Sequence, residues 1–413
     1  MFNNIRRLLT SQVKRIYHNF VPYEKRINYW SYRQRRVRSI KQFMQANNIR
    51  NILQNRSKLK DIIAQHHNAK GIVLLLPSVE WHTQLFQRPH QMALAFAKLG
   101  YLVLYWVHVD SIDKIQNFEF IQDNLYLCNV SPAVMGVIPS PITISYTYNF
   151  TWSERLRNPK IVYELIDHFE IFSNFPMPLL EHNHRKLLKS ANVVIGTADD
   201  LVSFLLPDRS DAILCPNGVD IDHFTNVHQT SVQSIPLDMV KILADRKPVI
   251  GYYGALAEWF DYEMLKYAAQ ELPDYHFVLI GPDYDTSLQK ANITSMANVY
   301  WLGPKKYVEL PDYLRLFDVA TIPFIVSDAL NAVSPIKLFE YMAGERPIVT
   351  TDLIECRKYS CVLVAQSHQE FVSQLKIAVL LRNDTNYLTL LRQTAKANTW
   401  QARAEVIVQA LTK

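Results

Sequence analysis

Residues 71–107, GIVLLLPSVEWHTQLFQRPHQMALAFAKLGYLVLYWV, decide the architecture. Gly71–Leu76 is a short apolar run stopped at Pro77, which predicts a buried strand. A helical stretch follows, from about Gln87 to Leu99, and ends at Gly100. Tyr101–Val107 is a second apolar run of strand length. Strand, helix and strand at this spacing make a βαβ unit of a parallel sheet.

Working outward, strands are expected at 141–146, 161–166, 192–196 and 212–214. A polar, irregular stretch from about Thr225 to Lys247, with one short helix inside it, reads as a connection between domains. The pattern then restarts. KPVIGYYG (247–254) is a strand ending at Gly254, and a helix is expected over Glu258–Glu271. Strands HFVLIGP (276–282) and NVYWLG (298–303) come next, then a helix around Leu310–Phe317. DVATIPF (318–324), a helix at Pro335–Ala343 and the strand PIVTT (347–351) complete the unit. The expected fold class is α/β, with two tandem Rossmann-like domains facing across a cleft. Ligands of such sheets bind beyond the carboxyl ends of the strands, which here means the cleft.

Composition narrows the function. Of 413 residues 49% are hydrophobic and 20% charged, so the chain can bury real cores. No apolar run approaches the ~18 residues needed to cross a bilayer. Four scattered cysteines form neither a disulfide framework nor a zinc site. His182 and His184 lack a third ligand at sensible spacing, so no metal is expected. Only 10 residues are glycine, and none makes a dinucleotide fingerprint or a P-loop.

The charge is uneven. Residues 1–60 hold 15 Lys/Arg and one acid, Glu24, whereas the remaining 29 bases face 37 acids. Ile5, Leu8, Leu9, Val13, Ile16, Tyr17 and Phe20 recur at helical spacing with Arg6, Arg7, Lys14 and Arg15 between them. A second basic stretch runs from Arg33 to Lys60. This head (residues 1–68) reads either as an amphipathic anchor for an anionic membrane surface or as a helical hairpin packed on the body. No recognisable nucleic-acid fold accompanies the basic excess, so no nucleic-acid partner is expected.

Three strings carry a family resemblance. ILCPNGVDIDHF (213–224) resembles the signature that closes the N-terminal domain of many GT-B glycosyltransferases of the family 4 type. SPIKLFEYMAGERPIVTTDLIE (334–355) resembles their donor-site helix and following strand. WHTQLFQRPHQMALAFAKLGYLVLYW (81–106) resembles the opening of a bacterial subgroup that builds surface polysaccharides. Trp400 also falls where the family's last helix crosses back to the N-terminal domain. The resemblance implies an acceptor domain at 69–226, joined by a helix at 397–413, and a nucleotide-sugar donor domain at 247–396.

The residues support that reading in their own terms. Ser334 can cap a helix whose first turn holds Pro335, leaving N–H groups suited to an anion. Lys337 lies in that first turn and reinforces a diphosphate site. Glu340, one turn on, shares its face; in the resembled family this glutamate accepts hydrogen bonds from the nucleotide ribose. An i, i+3 surface ion pair is the plainer account of the two. Gly254 lets a phosphate approach the backbone. IVYELIDHFEIF (161–172) runs a buried strand into Asp167 and His168. Asp167 is the candidate general base, with His168 as alternative or orienting partner; capping of the next helix is the competing role. Arg88 and His90 are candidate acceptor ligands, with buried structural bonding open for His90.

The family's retaining branch carries a second glutamate eight residues before Glu340, where this chain has Ala332. The Arg and Lys usual after its first C-terminal strand are also absent, which leaves Lys305 or Lys306 as further phosphate contacts. The expectation is an inverting, cytoplasmic glycosyltransferase held peripherally on the inner membrane face. A nucleotide-diphosphate sugar is its co-substrate, with no other cofactor, and a lipid-linked glycan its acceptor. A GT-B-type nucleotide-sugar epimerase and an inactive scaffold of a polysaccharide-assembly complex are the alternatives.

Overall fold

A computed structural model describes residues 48–83, 85–107, 113–172, 175–225 and 235–412. Strands β1 (Ile72–Leu75), β2 (Leu102–Trp106), β3 (Asn117–Gln122), β4 (Leu125–Asn129), β5 (Ile142–Ser145), β6 (Lys160–Leu165), β7 (Val193–Gly196) and β8 (Ile213–Leu214) form one sheet. Its order is β3-β4-β2-β1-β5-β6-β7-β8, parallel except for the β3–β4 hairpin. A second, parallel sheet has the order β11-β10-β9-β12-β13-β14. Its strands are β9 (Val249–Tyr253), β10 (His276–Ile280), β11 (Val299–Trp301), β12 (Val319–Ile322), β13 (Ile348–Thr351) and β14 (Val362–Ala365).

The pleat explains why the central strands read as unbroken apolar runs. Val73 and Leu75 of β1 join Val103 and Tyr105 of β2 in a core with Met92 and Phe96 of the Arg88–Lys98 helix. Leu74 and Leu76 face the other way, with Leu104 and Trp106. Both faces are covered, so every position is apolar.

The last helix, Trp400–Thr412, leaves the second sheet and returns to the first. Trp400, Ala404 and Ile407 are buried in the same core as Met92 and Phe96. Val219 and Thr399 pair as an isolated bridge where the chain leaves and re-enters.

The expected basic helix over residues 5–20, and the second basic stretch up to residue 47, lie outside the described residues. From Ile49 to Gln65 the chain is helical, and its apolar side belongs to the body. Leu59 is fully buried beneath Leu74 and Trp106, with Ile52 and Ile63 partly covered. Burying one such leucine is worth about 1.5–3 kcal/mol, so this stretch of the basic head packs on the first sheet.

Two helix boundaries differ from expectation. The helix expected from Glu258 begins at Tyr262, because Asp261 caps it by accepting the Met264 N–H at 2.8 Å. The helix expected at 310–317 ends early, at Leu314, and is preceded by a 3₁₀ turn, Tyr307–Glu309.

Candidate active site

The carboxyl ends of both sheets converge on a cavity of about 410 Å³. Ile166 and Asp167 follow β6, Thr197 follows β7, Gly254 follows β9, Gly281 and Pro282 follow β10, and Phe324 closes the turn after β12. Ser334, Lys337 and Glu340 complete the wall from the second sheet's side. Of the eight candidate residues, Arg88, Asp167, Gly254, Ser334, Lys337 and Glu340 line this one space; His90 and His168 do not.

Two glycines shape the second sheet's side of the cavity. Gly254 (φ +141°) and Gly281 (φ +141°) adopt backbone that side chains rarely tolerate. A Cβ on Gly281 would sit 1.8 Å from the Gly254 carbonyl oxygen, so the two strand ends touch backbone to backbone. A Cβ on Gly254 would lie 2.8 Å from Lys337 Cε and 3.3 Å from its Nζ. Gly254→Ala is therefore expected to destabilise the fold by about 1–3 kcal/mol and to push Lys337 aside, as denaturant titration combined with nucleotide binding would measure.

Lys337 lies over the rings of Phe324 (4.9 Å) and Tyr252 (5.4 Å). Burial pushes its ammonium down to about 8, against an opposing pull from Glu340. Glu340 is buried, and burial raises its carboxyl to about 7 against the Tyr253 phenol, Lys337 and the Tyr307 phenol. Both are ionisable groups buried in the cavity wall, where a diphosphate and a ribose hydroxyl would strengthen the charged forms.

Lys305 lines the cavity but is engaged, donating to Asp238 at 2.7 Å, and Lys306 is exposed outside the lining, so neither is placed as a free phosphate contact. Ser334 does not cap the helix. The helix Ile336–Ala343 has Pro335 in the cap position, and the Ser334 hydroxyl accepts the Asn217 N–H at 3.2 Å instead.

On the first sheet's side Asp167 stands among Val79, Tyr148, Ile166 and Ile171. Burial pushes its carboxyl up to about 7, with nearby His168 opposing. His168 turns outward and bonds Asp200 at 2.7 Å, so it does not orient Asp167. Nor does Asp167 cap the turn Phe169–Ile171, whose cap position is His168 with no side-chain bond.

Arg88 and His90 are placed differently from the expectation that their side chains contact an acceptor. Arg88 makes a bidentate pair with Glu164 (2.8 and 3.1 Å) and also donates to the Pro216 carbonyl and Asn217 Oδ1. His90 is fully buried and bonds the Glu80 carbonyl at 2.8 Å. A charged glutamate inside an apolar strand (VYELI) was the sequence signal for such a partner. Removing Arg88 leaves Glu164 charged and buried, so Arg88→Ala is expected to cost about 3–5 kcal/mol in urea titrations. Arg88→Met with Glu164→Met will recover only part, because Tyr146 also bonds Glu164 at 3.1 Å and loses its acceptor.

An aromatic column links the domains and was not anticipated. Tyr307 stacks on His223 (4.3 Å) and on Phe86 (4.8 Å), and its hydroxyl accepts from Gln91 at 2.8 Å.

Comparison with known proteins agrees with the two-sheet fold. Residues 247–380 match the family model of glycosyl transferases group 1. A Bacillus subtilis (strain 168) protein, provisionally named teichuronic acid biosynthesis glycosyltransferase TuaH, is 25% identical over 379 residues, covering 84% of this chain and 89% of that one. A sucrose-phosphate synthase from Thermosynechococcus elongatus shares the fold with a TM-score of 0.61 at 14% identity, covering 82% of this chain and 98% of its own. The Escherichia coli trehalose-6-phosphate structure bound with UDP-2-fluoro glucose superposes with a TM-score of 0.63 at 11% identity, over 83% and 99% of the two chains. Anabaena Alr3699/HepE, solved with UDP and glucose, gives 0.60 at 14% identity, over 83% and 99%.

Proposed function

We propose that this chain, a glycosyltransferase of the GT-B fold, moves a sugar from a nucleoside diphosphate sugar on its second domain to an acceptor hydroxyl on its first. The observation that carries the reading is the shared cavity, which Lys337 and Glu340 enter from one sheet and Asp167 from the other. The acceptor oxygen attacks the anomeric carbon, and the bond from that carbon to the diphosphate breaks. The acceptor's proton passes to the Asp167 carboxylate. Lys337 faces the charge that grows on the leaving diphosphate. Glu340 accepts from the ribose. One displacement inverts the anomeric centre.

For the acceptor, a lipid-linked glycan intermediate of surface polysaccharide synthesis is the best-supported class. The similarity to TuaH, whose name refers to teichuronic acid, is one support. The cavity's acceptor wall is another: Val79, Leu85, Phe86, Ile166 and Ile171 are apolar, Tyr148 adds an aromatic ring, and the Thr197 hydroxyl donates to the Ile166 carbonyl. Ile171 of this wall and Phe175, which stacks on Tyr148, are also exposed apolar surface. The basic head, residues 1–60, would hold the enzyme on the anionic inner face of the membrane in the cytoplasm. No nucleic acid and no metal enters this scheme.

The test incubates the protein with a panel of nucleotide sugars and a membrane lipid extract, and follows nucleoside diphosphate release. Release from one donor that depends on the lipid fraction is the expected result. Free monosaccharide formed without acceptor would favour an epimerase. No release from any donor by folded protein would leave a scaffold.

A further inference from the structure

We infer that Asn217 and Arg88 are positioning residues that fix the start of the Lys337 helix against the first domain and so set where the donor diphosphate sits. The consequence for the donor rests on the function proposed above; the mechanical link does not.

Asn217 follows β8 within the string CPNGVD, which the proposed reaction leaves without a role. Four of its polar atoms are bonded. Its N–H donates to Ser334 Oγ (3.2 Å) and its Nδ2 to the Ser334 carbonyl (2.6 Å). Its Oδ1 accepts from Arg88 (3.2 Å), and its carbonyl accepts from Arg403 (3.2 Å). The amide's orientation is forced by chemistry, because a guanidinium only donates and a carbonyl only accepts. Arg88 is itself anchored by Glu164 on β6.

The link therefore runs from Glu164 through Arg88 and Asn217 to Ser334, three residues before Lys337. Neither end can drift. A Cβ on Gly218 would lie 2.9 Å from the Asn398 carbonyl, so the loop is wedged against the returning chain. Pro335, with φ −72°, passes the position of Ser334 stiffly into the helix. Ser334 and Arg88 are each 4% exposed and Asn217 between them is partly buried, so the two ends of the link are shielded from water.

A packing role and a positioning role rank two substitutions oppositely. Asn217→Asp keeps shape and the Arg88 partner but aims an acceptor at the Ser334 carbonyl. Asn217→Ala removes the group. We expect Asn217→Asp to weaken binding of UDP, GDP or ADP by about 10- to 50-fold and Asn217→Ala by about 3- to 10-fold. Hydrogen exchange should quicken over residues 334–343 in both variants, most in Asn217→Asp. The Tm of Asn217→Asp should be no lower than that of Asn217→Ala, because Arg88 keeps its partner. Asn217→Asp milder than Asn217→Ala, or unchanged exchange over 334–343, overturns the inference. If the parent protein binds none of the three nucleotides, the donor reading fails while exchange still decides the link.

Discussion

Changing Asp167 to Asn will lower turnover by about 10²- to 10⁴-fold and leave nucleoside diphosphate affinity almost untouched. The carboxylate sits on the acceptor wall, across the cavity from Lys337, and no protein hydrogen bond to it is found among the described residues. Asn keeps the shape and could still cap a turn, so the substitution tests the charge alone. The pH profile gives a second reading. A carboxyl raised to about 7 holds its proton below that pH and is an active base only above it. Turnover of the parent protein should therefore climb through neutrality and level off on the alkaline side, and the residual turnover of Asp167→Asn should lack that acid limb. A variant with the parent's rate and the parent's profile would place the base elsewhere.

The sequence was informative about the scaffold because burial writes itself into parallel strands. Runs such as GIVLLL and YLVLYWV are apolar at every position, since helices cover both faces. The β3–β4 hairpin escaped notice because β3, the edge strand, buries no residue fully and mixes polar with apolar positions. Its turn, Asp123-Asn124, with Asn124 at φ +63°, was the available signal. β14 was missed because four residues, two of them half-buried, do not stand out from a loop.

The candidate site was legible only where chemistry and position coincide along the chain. Lys337 and Glu340 are one helical turn apart, so spacing alone puts them on one face. Asp167 stands directly after a strand, where α/β ligands bind. Partners distant in sequence were not legible. Arg88 is engaged by Glu164, 76 residues on, and Lys305 by Asp238, 67 residues back. Ser334 looked like a cap because nothing local revealed Asn217, 117 residues away. A polar side chain's availability depends on long-range pairing, and that decides whether it is a ligand or part of the frame.

Lys337→Ala will lower the specificity constant by about 10²- to 10³-fold, through weaker donor binding and a poorer leaving group together. The reason is the absence of a substitute. Arg88 is paired with Glu164 and Lys305 with Asp238, so among the described residues Lys337 is the remaining cation on the cavity wall to face the proposed diphosphate. Its ammonium, lowered to about 8, gives the direction of the pH effect: above that pH the lysine is neutral and donor affinity falls. A bound diphosphate favours the protonated form, so binding near pH 8.5 (roughly half a unit above the free value) should draw protons from solution. Calorimetric enthalpies would then vary with the ionisation heat of the buffer, and that variation should vanish in Lys337→Ala. Glu340 sharpens the test. Its charge opposes the lowering of Lys337, so Glu340→Gln should move the alkaline fall in affinity to lower pH as well as remove the ribose contact. A fall that stays in place in Glu340→Gln, or a Lys337→Ala variant that binds nucleoside diphosphates as the parent does, would detach the donor site from this helix.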